Sequence, residues 1–357
     1  MKNTPLIIII AAVIISCGRA GSQDEPKVIS AEYFLNDSLF ISEIARSEEV
    51  VTLAESETAI ISRVAKVARL DDRFIVCAEG DIGGEMYIFS QSGRPLRRIG
   101  VSGRGPEEIG RFRSCIYNES RNTIEISDAM KRLVHIYDTT GNYISNISFE
   151  VSPDDFSATG DGRYLLYMLT SFNSPDSGRM FPGIYLFGSD GEFIKPVYSH
   201  DRENYQIHSP KCFMGIHPGA SWLTAFDDDI YRFDADTAIR VMSVDFGEKT
   251  WPAEKREAFK LFDPFPYDYI YLKGSPLETR RFISFHAVYF DYRRMGIALI
   301  DKKEMTCRIY PGIINDFSGG PVALVGSSET EFYGISTRIT ESANPDQVIE
   351  LRIFKTR

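Results

Sequence analysis

The chain has 357 residues, 43% of them apolar, with 40 Lys and Arg against 50 Asp and Glu and a formal net charge of −10. That is ample apolar material for a core. It is also an acidic balance with no basic run, which argues against nucleic acid as a partner and against charge-driven binding to an anionic membrane.

From the N-terminus, Lys2 precedes an unbroken apolar run of ten residues, Leu6 to Ile15. Ten is too few for a membrane span, which needs roughly 20, and suits the core of a signal peptide. The run ends in Ile14-Ile15-Ser16-Cys17, which resembles the lipobox of bacterial lipoproteins. On that reading residues 1–16 are a signal peptide and Cys17 is the lipid attachment site. Two acyl chains on one thioether anchor stably where one chain is marginal. An ordinary secretory signal with an incidental Cys, or an uncleaved anchor helix, is the alternative. Residues 17–47 are expected to be the lipidated Cys and its tether, because Gly18 to Lys27 is rich in Gly, Ser and charge. The expected location is the cell envelope, lipid-anchored at the outer membrane.

From residue 48 onward one phrase recurs. A strand ending in an aromatic or branched residue runs into an Asp/Ser/Gly turn: Tyr87-Ile88-Phe89, His135-Ile136-Tyr137, Tyr185-Leu186-Phe187, Ile230-Tyr231-Arg232-Phe233 and Ala298-Leu299-Ile300, with Leu351-Arg352-Ile353-Phe354 near the end. The anchors Phe89, Tyr137, Phe187, Phe233, Ile300 and Phe354 stand 48, 50, 46, 67 and 54 residues apart. A period of roughly 40–50 with several strands per unit is the mark of a propeller. The predicted fold over residues 48–357 is therefore all-β, a six-bladed β-propeller with four-stranded antiparallel blades.

The first blade takes Ala65–Leu70, Phe74–Ala78, Met86–Phe89 and Leu96–Ile99. The second takes Ser114–Tyr117, Thr123–Ser127, Leu133–Tyr137 and Tyr143–Ile147. The third takes Phe156–Ala158, Tyr164–Leu169, Ile184–Phe187 and Phe193–Val197. The fourth takes Phe213–Ile216, Trp222–Phe226, Ile230–Phe233 and Arg240–Val244. The fifth takes Tyr267–Leu272, Phe282–Tyr289, Gly296–Ile300 and Thr306–Tyr310. The sixth has only Val322–Val325, Phe332–Ser336 and Ile349–Phe354. An open edge invites aggregation. Val50-Val51-Thr52-Leu53 is expected to supply the missing outer strand and close the ring; a surface strand outside the ring is the alternative.

Loop lengths are unequal. Connections at one end of each blade are tight turns, such as Asp71-Asp72 and Gly160-Asp161-Gly162. Those at the other end are long: Gly100 to Arg113, Thr170 to Gly183, Ser199 to Lys211, Gly247 to Pro266 and Ile339 to Gln347. Pro252 to Phe262 reads as a short helix. Binding residues concentrate on loops held by a rigid scaffold, so the long-loop face is the candidate working face.

Within it, Gly103-Arg104-Gly105-Pro106-Glu107-Glu108 offers a planar guanidinium to an oxygen-rich group. The alternative is that Arg104 pairs with Glu107 or Glu108, or with a neighbouring blade, and fixes the loop. The phrase is not a phosphate loop, since no Gly-Lys-Ser/Thr follows. Trp251, with Phe262, Phe265 and Tyr267, makes an aromatic loop that either contacts a glycan or protein or packs on the scaffold. Candidate ligand-binding residues are thus Arg104, Glu107, Glu108 and Trp251.

Asp227-Asp228-Asp229 reads as a solvated turn. The five His are scattered, with His200 and His208 flanking one long loop, and no nucleophile motif accompanies them. Cys77, Cys115, Cys212 and Cys307 show no metal spacing and read as buried thiols, although an exported protein could form disulfides. No catalytic, metal or cofactor residue is expected.

Gly100-Val101-Ser102-Gly103-Arg104-Gly105-Pro106-Glu107-Glu108 resembles a phrase of the six-bladed β-propeller lipoproteins of Gram-negative gut-type bacteria, which are related to TolB-like propellers. Val51-Thr52-Leu53 with Ile60-Ile61-Ser62-Arg63-Val64, and Leu277-Glu278-Thr279, look similar to the same family. The resemblance covers about residues 48 to 357. It implies an exported, lipid-anchored propeller with no established chemistry. Two function classes follow. The favoured one is a non-catalytic binding or scaffold module that engages a protein, peptide or glycan through the long-loop face. The other is a propeller hydrolase or lyase with a metal or carboxylate–His site at the central channel.

Overall fold

The structure is a computed structural model. It describes residues 26–34, 36–56, 59–61, 63–80, 83–168, 172–174, 178–199, 213, 221–223, 228–234, 236–258, 268–288, 295–339 and 347–357. Residues 1–16, expected to be a signal peptide, and Cys17, His200, His208, His217, Cys212, Asp227, Phe262, Phe265 and Tyr267 lie outside the described residues.

The chain is all-β, with several four-stranded antiparallel sheets, an arrangement consistent with a β-propeller. It opens with β1 (Lys27–Tyr33), β2 (Leu39–Phe40), a one-turn helix α1 (Ile41–Ile44) and β3 (Ala45–Leu53). The first meander is β4 (Arg63–Leu70), β5 (Arg73–Gly80), β6 (Gly83–Ser90) and β7 (Pro95–Ile99). The second is β8 (Phe112–Asn118), β9 (Thr123–Asp128), β10 (Leu133–Asp138) and β11 (Tyr143–Ser148). The third starts with β12 (Asp155–Ala158) and β13 (Tyr164–Met168). A hairpin of β14 (Phe172–Ser174) and β15 (Gly178–Met180) follows, then β16 (Gly183–Phe187) and β17 (Phe193–Ser199) complete the sheet.

Next come β18 (Ser221–Leu223), β19 (Asp229–Asp234), β20 (Thr237–Asp245) and a short helix α2 (Ala253–Ala258). They precede β21 (Tyr271–Glu278), β22 (Phe282–Val288), β23 (Met295–Asp301) and β24 (Thr306–Tyr310). The chain ends with β25 (Ile313–Ile314), β26 (Ala323–Ser327), β27 (Glu331–Ile339) and β28 (Gln347–Thr356).

Burial explains the residue choice in each strand. Thr123–Asp128 and Tyr164–Met168 are buried throughout, because sheets cover both of their faces, and they are near-continuous apolar or hydrogen-bonded runs. The outer strands β7 and β11 are mostly exposed and carry Arg97, Arg98 and Asn146. The turn glycine of the recurring phrase has two reasons. Gly93, Gly141 and Gly191 have φ of +81°, +86° and +90°, a region open chiefly to Gly. A Cβ on Gly141 would also lie 2.4 Å from Ile99 of β7, and one on Gly191 would lie 2.0 Å from the Ser148 carbonyl of β11. Each turn thus abuts the outer strand of the preceding sheet.

Gly93, in the first sheet, meets the Thr52 carbonyl of β3 in the same way, at 1.9 Å, and accepts a hydrogen bond from Ala54 N–H at 2.9 Å. Gly93→Ala should therefore lower stability by at least roughly 1–2 kcal/mol from the backbone conformation alone, read as a shift in urea midpoint. A midpoint equal to wild type would contradict that packing.

Two expectations change at the N-terminus. The tether expected over 17–47 ends earlier, because Lys27 already begins a strand. β1 lies parallel between β20 and β24, pairing Lys27–Ser30 with Met242–Asp245 and Ala31–Tyr33 with Cys307–Ile309. Its Ile29 enters the core beside Val244 and Phe246, and Tyr33 Oη donates to the Phe246 carbonyl at 2.8 Å. The apolar alternation of β1 was hidden by its charged neighbours. The strand expected at Val50–Leu53 is longer, Ala45–Leu53, and pairs antiparallel with β28, from Leu53↔Ile349 to Ala45↔Thr356. The sheet order is β26-β27-β28-β3.

In the fifth repeat the first strand starts later than expected, at Tyr271. Gly274-Ser275-Pro276 looks like a turn, yet it lies within β21, where the register shifts between Lys273 and Leu277. The last sheet also touches the first: Arg69 pairs with Glu331 at 3.2 Å, and a Cβ on Gly326 would lie 2.1 Å from the Val67 carbonyl oxygen. Among the described residues no helix is long and apolar enough to cross a membrane.

Candidate functional site

Residues 100–111 join β7 to β8 at the long-loop end of their sheets. Gly100 turns the chain with φ +68°. Ile109 is buried, donates its N–H to the Val101 carbonyl at 2.8 Å and accepts from Gly103 N–H at 3.0 Å. Between these anchors the Gly-Arg-Gly-Pro phrase folds around Glu108. Its carboxylate accepts from Gly105 N–H at 2.7 Å and fills the space that a Cβ on Gly103 would need, 1.9 Å from Oε2. Lys131 Nζ donates to the carbonyls of Gly105 and Glu108, each at 2.5 Å. Tyr137 Oη donates to the Glu107 carbonyl at 3.3 Å.

Asp128, at the end of β9, fastens the loop from below. Its carboxylate accepts from the N–H groups of Gly110 at 2.6 Å, Arg111 at 3.0 Å, Met130 at 2.9 Å and Lys131 at 3.2 Å. Burial raises the Asp128 pKa, but these N–H groups outweigh it and hold the carboxyl below its ordinary value. His135 Nε2 lies 3.5 Å away, fully buried. Burial lowers the imidazole pKa more than Asp128 raises it, so folding disfavours the charged ring.

Both groups are depressed on folding, so the unfolded chain binds more protons as pH falls and stability is lost in acid. The His135 contribution starts to fade below about 6.5, its ordinary value. Tm should fall from that pH downward, and less steeply in His135→Gln; equal slopes would contradict a His135 whose pKa folding lowers.

Arg104 stands apart from this scaffold. It is exposed and forms no ion pair with Glu107 or Glu108; the loop is fixed by Glu108, Lys131 and Asp128 instead. Pro106 and the Glu107 side chain are exposed beside it. Val101 is 51% exposed, and Met130, seated against Gly110, is 65% exposed. The structure thus displays Arg104 and Glu107 on one hydrogen-bonded loop and uses Glu108 inside it.

Trp251 belongs elsewhere. It is only 2% exposed, its ring lies under the Arg256 guanidinium, and its carbonyl accepts from Arg256 Nε at 2.9 Å. Its buried ring packs a loop onto the scaffold and is not an exposed ligand-binding platform, contrary to the expectation from the sequence. Arg256 also pairs with Asp228 in a buried contact. Asp229 is buried too, with Arg240 at 3.2 Å. Asp228-Asp229 is therefore a buried ion-paired turn and not a solvated one.

Exposed large apolar side chains are unevenly placed. Val28, Tyr33, Val50, Leu96, Ile144 and Ile194 lie on outer strands. Of the rest, Ile60, Val101, Met130 and Ile339 lie on or beside connections of the long-loop end, whereas Phe40, Ile314 and Phe317 lie on the β2–β25 pair and its hairpin, beside α1 and Glu48 of β3. Among the described residues none lies on the tight turns at the opposite end, which carry Asp72, Arg73, Thr140, Asp161, Arg163 and Glu304. Sequence reading missed Val101, Met130 and Lys131. No local pattern marks an apolar residue as exposed, although Asp128-Ala129-Met130-Lys131 is recognisable as a turn. Among the described residues no three His, Cys, Asp or Glu side chains gather as a metal would need.

Comparison with solved structures gives 17% identity to a Bacteroides fragilis protein named as an exported protein, over 92% of this chain and 100% of that one, with a TM-score of 0.68. That likeness shows the fold. A member of the DUF4221 family from Bacteroides vulgatus matches at 10% identity over 88% and 97% of the two chains, TM-score 0.47. The WD40 domain of Toxoplasma gondii coronin matches at 9% identity over 90% of each, TM-score 0.43. Neither of these two is close enough to carry an argument. No curated protein matches the sequence. Residues 27–344 match one family along their whole length, and the chain belongs to it: DUF4934, a domain of unknown function.

Proposed function

We propose that this protein is a non-catalytic, exported, lipid-anchored binding module that engages a protein, peptide or glycan through its long-loop end. One observation carries the reading. Ile60, Val101, Met130 and Ile339 are exposed at that end, with Val101 and Met130 flanking a pre-formed loop that displays Arg104, and among the described residues the tight turns opposite carry no exposed large apolar side chain. Exposed apolar side chains such as Val101 and Met130 beside a loop suit an interaction site, and an exposed guanidinium beside them suits a carboxylate or another oxygen-rich group.

The scaffold in this reading is a six-bladed, TolB-like propeller. The pairing of β3 with β28, and the repeat of the Gly141 and Gly191 contacts at Gly93, support a ring closed by β3. Export is supported by the signal-like start of the sequence and by the name of the Bacteroides fragilis neighbour.

Two experiments test it. Arg104→Ala should weaken partner capture from detergent-solubilised envelope by roughly tenfold or more, the scale of a charge-assisted hydrogen bond, and leave Tm unchanged. A lower Tm with undiminished capture by the folded fraction would remove Arg104 from the site. Cys17→Ser should release the protein from the membrane fraction. Sedimentation with membranes equal to wild type would end the lipid-anchor reading.

A further inference from the structure

Two of the buried cysteines face each other across neighbouring sheets. Cys77 lies on β5, and Cys115 lies on β8, the first strand of the next sheet. Each is 1% exposed, and both belong to one core cluster with Ala68, Ile75, Met86 and Ile116. Their sulfur atoms are in contact at 2.6 Å. Cys307, by contrast, is buried in a different cluster. The two sheets are held close here: a Cβ on Gly84 would strike the Phe112 ring at 2.3 Å, and Lys66 Nζ donates to the Cys115 carbonyl at 3.1 Å.

We propose that Cys77 and Cys115 are a disulfide site that staples the first sheet to the second. The inference rests on the export reading, since disulfides persist in oxidising compartments and not in the cytosol. Chemically, one thiolate attacks a disulfide-bearing oxidant, protein or small molecule, to give a mixed disulfide, and the other thiolate displaces it. One S–S bond forms and two S–H bonds break. The two cysteines give up two electrons and two protons, and the oxidant's disulfide is reduced to two thiols. Burial of both residues places the step during folding, before the sheets close.

The position gives the bond a consequence. The chain from Cys77 to Cys115 contains the whole 100–111 loop. A cross-link there fixes β8, where that loop lands, to the sheet it left. The bond therefore stiffens the platform that carries Arg104.

The full chain is refolded from denaturant with oxidised glutathione as the probe, alkylated in denaturant without reduction, digested and read by mass spectrometry. The expected result is one cross-linked Cys77–Cys115 peptide pair and an alkylated Cys307 as the internal control. Cys77→Ala should leave Cys115 alkylated, and Cys115→Ala should leave Cys77 alkylated. If Cys77 and Cys115 are both alkylated in the refolded wild type to the same extent as Cys307, the pairing is overturned. Fractionation of cells is read separately. Protein found in the cytosol defeats the export reading, while the refolding result still decides the pair.

Discussion

Asp128→Ala should be among the most damaging single substitutions, costing about 3–5 kcal/mol and freeing the 100–111 loop. One carboxylate takes the N–H groups of Gly110, Arg111, Met130 and Lys131. Its loss leaves four part-buried backbone donors without this partner, at roughly 1–3 kcal/mol each before relaxation and water entry reduce the sum. It also leaves His135 without its charged neighbour. Urea unfolding reads the total, and amide exchange reads the place. Protection should fall first at Gly110, Arg111, Met130 and Lys131, ahead of the strands. A cost below about 1 kcal/mol with protection intact would mean that Asp128 is a bystander and that the loop holds itself.

Arg352→Ala should have an effect of similar size at the other end of the chain. Arg352 joins Glu48 of β3 at 2.7 Å, Glu350 at 2.6 Å and Ser336 at 2.6 Å, and Asn315 donates to the same Glu48 at 2.7 Å. Burial raises the Glu350 pKa, but Arg338 and Arg352 outweigh it and hold the carboxyl below its ordinary value. Removing Arg352 takes the paired cation from Glu48 and leaves Glu350 with Arg338 alone, in a mostly buried setting, which costs about 3–5 kcal/mol. The loss should open the β28–β3 pairing before the rest, so exchange at Val50 to Leu53 should rise to the rate of a frayed edge. Unchanged protection there would mean that β3 is held by its backbone ladder and by Val51 and Leu53 alone.

Much of the architecture was legible because each repeat obeys the same local physics. The strand phrase and the apolar inner strands recur from unit to unit, the turn glycine recurs in the first three (Gly93, Gly141, Gly191), and these signals reinforce one another. What failed has physical causes. β1 is one short strand inserted parallel between two others, and only Val28, Ile29 and the alternation around them speak for it. Gly274-Ser275-Pro276 carries turn residues inside a strand, because a register shift there tolerates them.

The candidate site was legible in part. Gly-Arg-Gly-Pro announced a special loop, yet the division of labour inside it depends on partners distant in sequence. Lys131 lies 26 residues from Gly105, and Asp128 lies 18 residues from Gly110. The burial of Trp251 hinged on Arg256 and Asp228, which no local motif connects.

The central claim is that the long-loop end is the binding surface. Its most direct test is site-specific photo-crosslinking in the native envelope, with the reactive group placed singly at residues 104 and 130 on that end and at residues 92 and 140 on the tight-turn end. The account predicts a shared adduct from 104 and 130 and none from 92 or 140. Adducts from 92 or 140 at equal or greater yield, or none from 104 and 130, would contradict it.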